Sequence, residues 1–209
     1  MGLEHLVPKT IGEALSLLNK YGNKAKVLAG GTDVVQLMKD KVIRPEYIIS
    51  IGNIAELNYI QAEENSIRIG ALTTIRNIER SKDLKENYGL LCQAASQMSF
   101  PSLRNTATVG GNLCNAAPSA DMAPPLIALM ATVKLVSTAG ERTVPLEEFF
   151  TGSGHTVLKP DELMTEIQAL APPAHSAGVY LKCRTRDAGD PALVSVAALL
   201  TLNSDNDTC

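Results

Sequence analysis

Apolar and polar positions change period several times along the chain, and each change marks an element. After Thr10, Ile11, Ala14, Leu15 and Leu18 recur at the three-and-four spacing of one helical face. Thr10 stands where an N-cap belongs, Glu13 follows it at the distance of a capping box, and Gly22 supplies a stop, which predicts a capped amphipathic helix. The run at 26–29 is too short and too apolar for anything but a buried strand. Gly30 and Gly31 then turn the chain, 34–41 reads as helix, and 47–51 is a second strand that closes a small β-α-β unit.

From about residue 57 the texture shifts to short alternating stretches. Segments 59–62 and 66–70 predict a hairpin around Glu63, Glu64 and Asn65. Helices are predicted over 74–81, 89–96 and near 124–130, with an extended proline-containing segment and a second double glycine, Gly110 and Gly111, between the last two. Segments 131–136 and 141–144 form a further hairpin around Gly140, and the Phe149–Phe150 pair leads into a loop at Gly152, Ser153 and Gly154. Asp161 and Glu162, after Lys159 and Pro160, read as the start of a helix or turn. Strands are expected at 179–182 and 195–202. The polar cluster at 203–207 is a hairpin turn with only Thr208 and Cys209 behind it, so the chain reads as a fragment whose last strand is missing. These shifts divide the chain into units at 1–55, 56–173 and 174–209.

Bulk composition narrows the function classes. With 209 residues, 45% of them hydrophobic and 20% charged, and a net charge of -3, the chain has the makings of a globular core. It offers no basic field for nucleic acid. The longest apolar run, 193–202, is broken by Ser195 and Thr201 and is too short for a bilayer, and the N-terminus lacks a basic start followed by an apolar block. The expected location is cytoplasmic. Cys92, Cys114, Cys183 and Cys209 form no C-x-x-C pair, and His5, His155 and His175 no ligand-spaced pair, so no protein-borne metal or iron–sulfur site is expected. No nucleophile–base or paired-carboxylate arrangement is evident, and no catalytic residue is assigned. Phe100, Phe149, Phe150 and Tyr180 are read as core or interface.

The chemistry rests on VLAGGTD at 27–33 and TVGGNL at 108–113. Neither has the spacing of a G-x-G-x-x-G or a P-loop signature. A strand that ends in two glycines and hands over to a helix leaves main-chain N–H groups uncovered, and the helix terminus adds partial positive charge, so each bend is expected to cradle an anion. No Lys or Arg lies between either glycine pair and the following helix, so a phosphate would be held by amide dipoles. Two such bends suit a pyrophosphate gripped from two sides. Asp121, three residues before Pro124, reads as a helix cap or a ribose-hydroxyl acceptor.

Four stretches in order, KVLAGGTDVVQLMKDK, LRNTATVGGNLCNAAPSADMAPPLIAL, FFTGSGHTVLKPDELMTEI and YLKCRTRDAGDPALVSVA, resemble the FAD-binding subunit of the xanthine dehydrogenase and carbon monoxide dehydrogenase family of molybdenum hydroxylases. The resemblance implies an α+β chain. It would have the two-subdomain FAD-binding fold of the vanillyl-alcohol oxidase and CO dehydrogenase flavoprotein type, followed by the start of a C-terminal α+β domain. It implies FAD on this chain, with the first loop formed by Val27, Leu28, Ala29, Gly30, Gly31, Thr32, Asp33 and Val34. The second loop would comprise Thr108, Gly110, Gly111 and Asn112, with Ser119 and Asp121 toward the ribose or adenosine. Met164, where the family usually has Leu, would lie near the cofactor, and Lys182 close to the flavin ring. The GSGH at 152–155 replaces a more basic loop of many relatives, and no cysteine-rich insertion is present. Molybdopterin and iron–sulfur clusters would reside on partner subunits only, and electrons would pass from those clusters through FAD to NAD+ or another acceptor. Two other readings share the residues: a stand-alone flavin reductase of the same fold, and a non-catalytic nucleotide-binding or assembly module.

Overall fold

The N-terminal segment folds around a three-stranded parallel sheet, order β1-β3-β2, in a computed structural model that describes residues 2–186 and 189–203. Its elements are β1 (Glu4–Leu6), α1 (Ile11–Tyr21), β2 (Ala25–Leu28), α2 (Val34–Lys39) and β3 (Tyr47–Ser50). Thr10 caps α1, its hydroxyl accepting from the Glu13 amide at 3.1 Å, and Gly22 ends the helix at φ 49°. The Glu13 carboxylate reaches back past the cap to the Lys9 amide at 2.7 Å. The short edge strand β1 has no periodicity to announce it. It exists because it pairs with β3.

The middle of the chain supplies β4 (Ile60–Ala62), β5 (Ser66–Gly70), α3 (Ile75–Arg80), α4 (Lys82–Asn87), α5 (Gly89–Gln97), α6 (Pro101–Arg104), α7 (Val109–Asn115) and α8 (Ala123–Ala128). It continues through β6 (Thr132–Ser137), β7 (Gly140–Pro145), α9 (Leu146–Phe149), β8 (Phe150–Gly152), β9 (His155–Thr156) and β10 (Leu163–Leu170). A five-stranded antiparallel sheet of order β4-β5-β10-β6-β7 forms its centre. The middle strand β10 follows Asp161 and Glu162, read from the sequence as the start of a helix or turn, and occupies a stretch to which the sequence pattern assigns no element. Leu163 and Met164 are buried on opposite faces, and a bulge between Met164 and Glu166 then inserts Thr165, also buried, as the extra residue. The segment expected to be extended around Pro101 instead forms α6, where proline suits the first helical turn.

The sheet stands between two cores. On one face Ile67, Ile69, Val133, Leu135 and Ile167 meet Leu91, Leu113, Leu126 and Phe149 of the helices; on the other, Leu163 and Leu72 meet Leu15, Leu18 and Ile49 of the N-terminal layer. Each fully buried side chain of this kind contributes about 1.5–3 kcal/mol. A final hairpin, β11 (Ser176–Cys183) with β12 (Val194–Thr201), lies against α5 and α8. The turn expected over 203–207 lies, beyond Asn203, outside the described residues. Among the described residues no helix is long and apolar enough to cross a membrane.

Candidate functional site

Where β2 ends, the backbone turns through Ala29 to Asp33 into α2. Gly31 holds φ at 74°, a conformation that side chains resist. Gly30 is required for a different reason. A Cβ there would stand 2.8 Å from the Thr106 carbonyl carbon, 3.2 Å from Ala107 Cα and closer still to the Thr106 oxygen, so two distant stretches of backbone touch at this glycine. Val35 donates back to the Gly31 carbonyl and Leu37 to that of Asp33. The amides of Gly30, Gly31, Thr32, Asp33 and Val34 find no acceptor among the described residues, and Val27 through Val34 are all only partly covered. Five adjacent free N–H groups on a glycine turn can hold an anion.

The second glycine pair departs from expectation. No strand precedes it; Thr108 is the N-cap of α7, and Gly110 and Gly111 lie inside that helix's first turn. Its leading amides are all engaged. Val109 donates to Thr73 O, Gly110 to Ala71 O, Gly111 to the Thr108 hydroxyl and Asn112 to Thr108 O, at 2.9–3.1 Å. The expected second amide cradle is therefore absent, because capping and packing on the 71–73 segment consume its donors. What the motif supplies is a wall. Gly111 comes so near the first loop that a Cβ on it would lie 4.0 Å from that of Ala29, and Asn115 Nδ2 donates to Asp33 Oδ1 at 3.0 Å. The two motifs thus stand side by side.

The remaining candidates lie within α7, in the turn before α8, and on β10 and β11. Asp121 is buried and does not cap α8, whose N-cap position is Met122. Its Oδ1 accepts from the Tyr180 hydroxyl at 2.6 Å and its Oδ2 from Lys182 Nζ at 2.9 Å. The carboxylate is filled from within the chain and does not stand open to a sugar hydroxyl. Lys182, its side chain wholly enclosed, also donates to Gln97 O at 3.3 Å. Its ammonium is turned into the packing, whereas the resemblance placed it beside a ring. Tyr180, read from sequence as core or interface, is a core residue here: burial first, then the Asp121 carboxylate, raises its phenol well above the ordinary value. Met164 is enclosed with its sulfur 4.0 Å from that of Cys114, whose thiol burial pushes up to about 12. Asn112 Oδ1 accepts from the Met122 amide at 3.3 Å, and Ser119 sits partly covered in the following turn.

Two features escaped the sequence reading. Asn115 closes α7 and reaches the first loop, and Gly154 in the β8–β9 turn donates to Ala116 O at 2.9 Å, which brings the GSGH loop against the end of that helix. Glu162, at the turn before β10, pairs with Arg142 at 2.7 and 2.8 Å; that pairing holds its carboxyl below the usual range against the opposing effect of burial. It is a structural ion pair. Among the described residues no three His, Cys, Asp or Glu side chains converge as metal ligands.

Residues 2–169 match the family described as FAD binding domain in molybdopterin dehydrogenase. The nicotinate dehydrogenase FAD-subunit of Eubacterium barkeri is 40% identical over 187 residues, covering 88% of this chain and 63% of that relative. The xanthine dehydrogenase FAD-binding subunit of Escherichia coli O157:H7 is 37% identical over 199 residues, 94% of this chain and 68% of its own length. Among solved structures, carbon monoxide dehydrogenase from Hydrogenophaga pseudoflava superposes with a TM-score of 0.93 at 34% identity, over 98% of this chain and 70% of that one. The chain thus spans between 63% and 70% of these relatives.

Proposed function

Since this chain belongs to the FAD-binding domain family of molybdopterin dehydrogenases, we propose that it is the flavin-holding part of a multi-subunit molybdenum hydroxylase. In that role it passes electrons from iron–sulfur clusters on a partner subunit to NAD+ or another acceptor, with molybdopterin on a further subunit. The observation that carries the reading is the row of free amides from Gly30 to Val34 beside the α7 motif.

The residues present suit FAD. Uncharged main-chain donors from the first loop would hold the diphosphate, and Gly31 supplies the positive φ that this turn requires. Thr108, Gly110, Gly111 and Asn112 form the opposite wall, with Ser119 beyond them. Met164 lines the base of the site, while Asp121, Tyr180 and Lys182 brace it from behind. In this reading the cofactor would lie between the units 1–55 and 56–173, and residues 174–209 would open a third. When bound, flavin supplies the exchange between one-electron donors and a two-electron acceptor; the chain contributes placement, water exclusion and local charge.

The test is direct. Purified chain, or chain incubated with FAD and desalted, is expected to show flavin absorption near ~450 nm. A colourless protein that takes up no FAD refutes the proposal.

A further inference from the structure

One polar contact joins the two motifs across 82 residues of sequence: Asn115 Nδ2 donates to Asp33 Oδ1 at 3.0 Å, while Thr32 Oγ1 donates to Asp33 Oδ2 at 3.2 Å. A carboxylate within the amide-bearing turn is an awkward neighbour for a bound diphosphate, since like charges repel strongly in a partly covered site. Here both oxygens of that carboxylate are occupied by donors from within the chain. The donor on the far side is itself braced. Asn115 is the last residue of α7, Ala116 after it adopts a left-handed conformation at φ 49°, and the Ala116 carbonyl is held by the Gly154 amide of the β8–β9 turn at 2.9 Å. Backbone contact at Gly30 fixes one end of the junction between the motifs, and the Asp33–Asn115 hydrogen bond fixes the other.

We propose that Asn115 is a positioning residue for the cofactor loop: it pins the Asp33 carboxylate in an orientation that leaves the amides of Gly30 to Val34 free to take a diphosphate. This rests on the FAD reading above. Without Asn115 the carboxylate regains its freedom and competes for those amides or repels the ligand.

The experiment measures FAD affinity of the flavin-free full chain by fluorescence quenching, for the native protein, Asn115→Ala and the exchanged pair Asp33→Asn/Asn115→Asp. In the exchanged pair the amide at 33 donates to the carboxylate at 115, so the bond is rebuilt with its direction reversed. Asn115→Ala is expected to raise Kd about tenfold, the usual scale for loss of one hydrogen bond to a charged group. The exchanged pair should return to within about threefold of native. Added salt should narrow the Asn115→Ala deficit, because it screens a freed carboxylate and does nothing for a merely loosened fold. Native-like affinity in Asn115→Ala, or an exchanged pair no better than the single variant, overturns the positioning role alone. Failure of the native chain to bind FAD overturns the underlying function and the positioning role together.

Discussion

Lys182→Met tests how the terminal hairpin is fastened to the rest of the fold. The lysine side chain is wholly enclosed and that of Asp121 is 6% exposed, so solvent cannot compensate when the cation is removed. The Asp121 carboxylate would be left with the Tyr180 hydroxyl as its one remaining side-chain donor among the described residues. Breaking a buried pair on one side costs about 3–5 kcal/mol. For a chain of this length, where 1 kcal/mol moves Tm by about 2–4 °C, that is a fall of about 6–20 °C. The companion variant Asp121→Asn/Lys182→Met removes both charges and keeps an acceptor for Tyr180. It should recover to within about 1–2 kcal/mol of native, because a neutral buried site no longer strands an ion. Urea unfolding followed by far-UV circular dichroism gives both values. A Lys182→Met loss under about 1 kcal/mol, or a double variant as unstable as the two single changes added together, would refute this account of the pair.

Two further expectations follow from the geometry. Gly30→Ala forces apart the backbones of the first loop and the Thr106–Ala107 segment, at about 1–3 kcal/mol of overpacking, and should lower both stability and FAD retention, seen in parallel melting and desalting experiments; unchanged retention would show that the motifs need not touch. The Glu162 carboxyl titrates below its unfolded value of about 4.3, so its contribution to stability is complete above that pH and is lost as pH falls through the folded value. Glu162→Gln should flatten the acid limb of the stability profile below about pH 4.5, and an unaltered limb would show that the Arg142 pairing does not set it.

The parts of the fold legible in the sequence were those encoded locally. The α1 pattern with its Thr10 cap, the β2–α2–β3 unit and the hairpins around residues 63–65 and 140 each carry their signal within a few neighbours. The elements that were not read depend on distant partners. β1 exists through β3, and α4 offers a single buried apolar residue, Leu84, with Ser81 as cap. β10 hides its alternation behind a bulge that is meaningful only against β6. At the site, the glycine pairs were visible but their different roles were not. A helix cap at Thr108 and acceptors at Ala71 and Thr73 decide which amides stay free, and none of these lies at a readable spacing from the first loop. The same holds for Tyr180, whose hydroxyl meets a carboxylate 59 positions away.

At the start of β10, ahead of its bulge, the ordinary alternation of a strand sends neighbouring side chains to opposite masses of the molecule, Leu163 joining the N-terminal layer and Met164 the helical one. The two hydrophobic cores are thereby sewn to opposite sides of a single strand, with one stretch of main chain common to both.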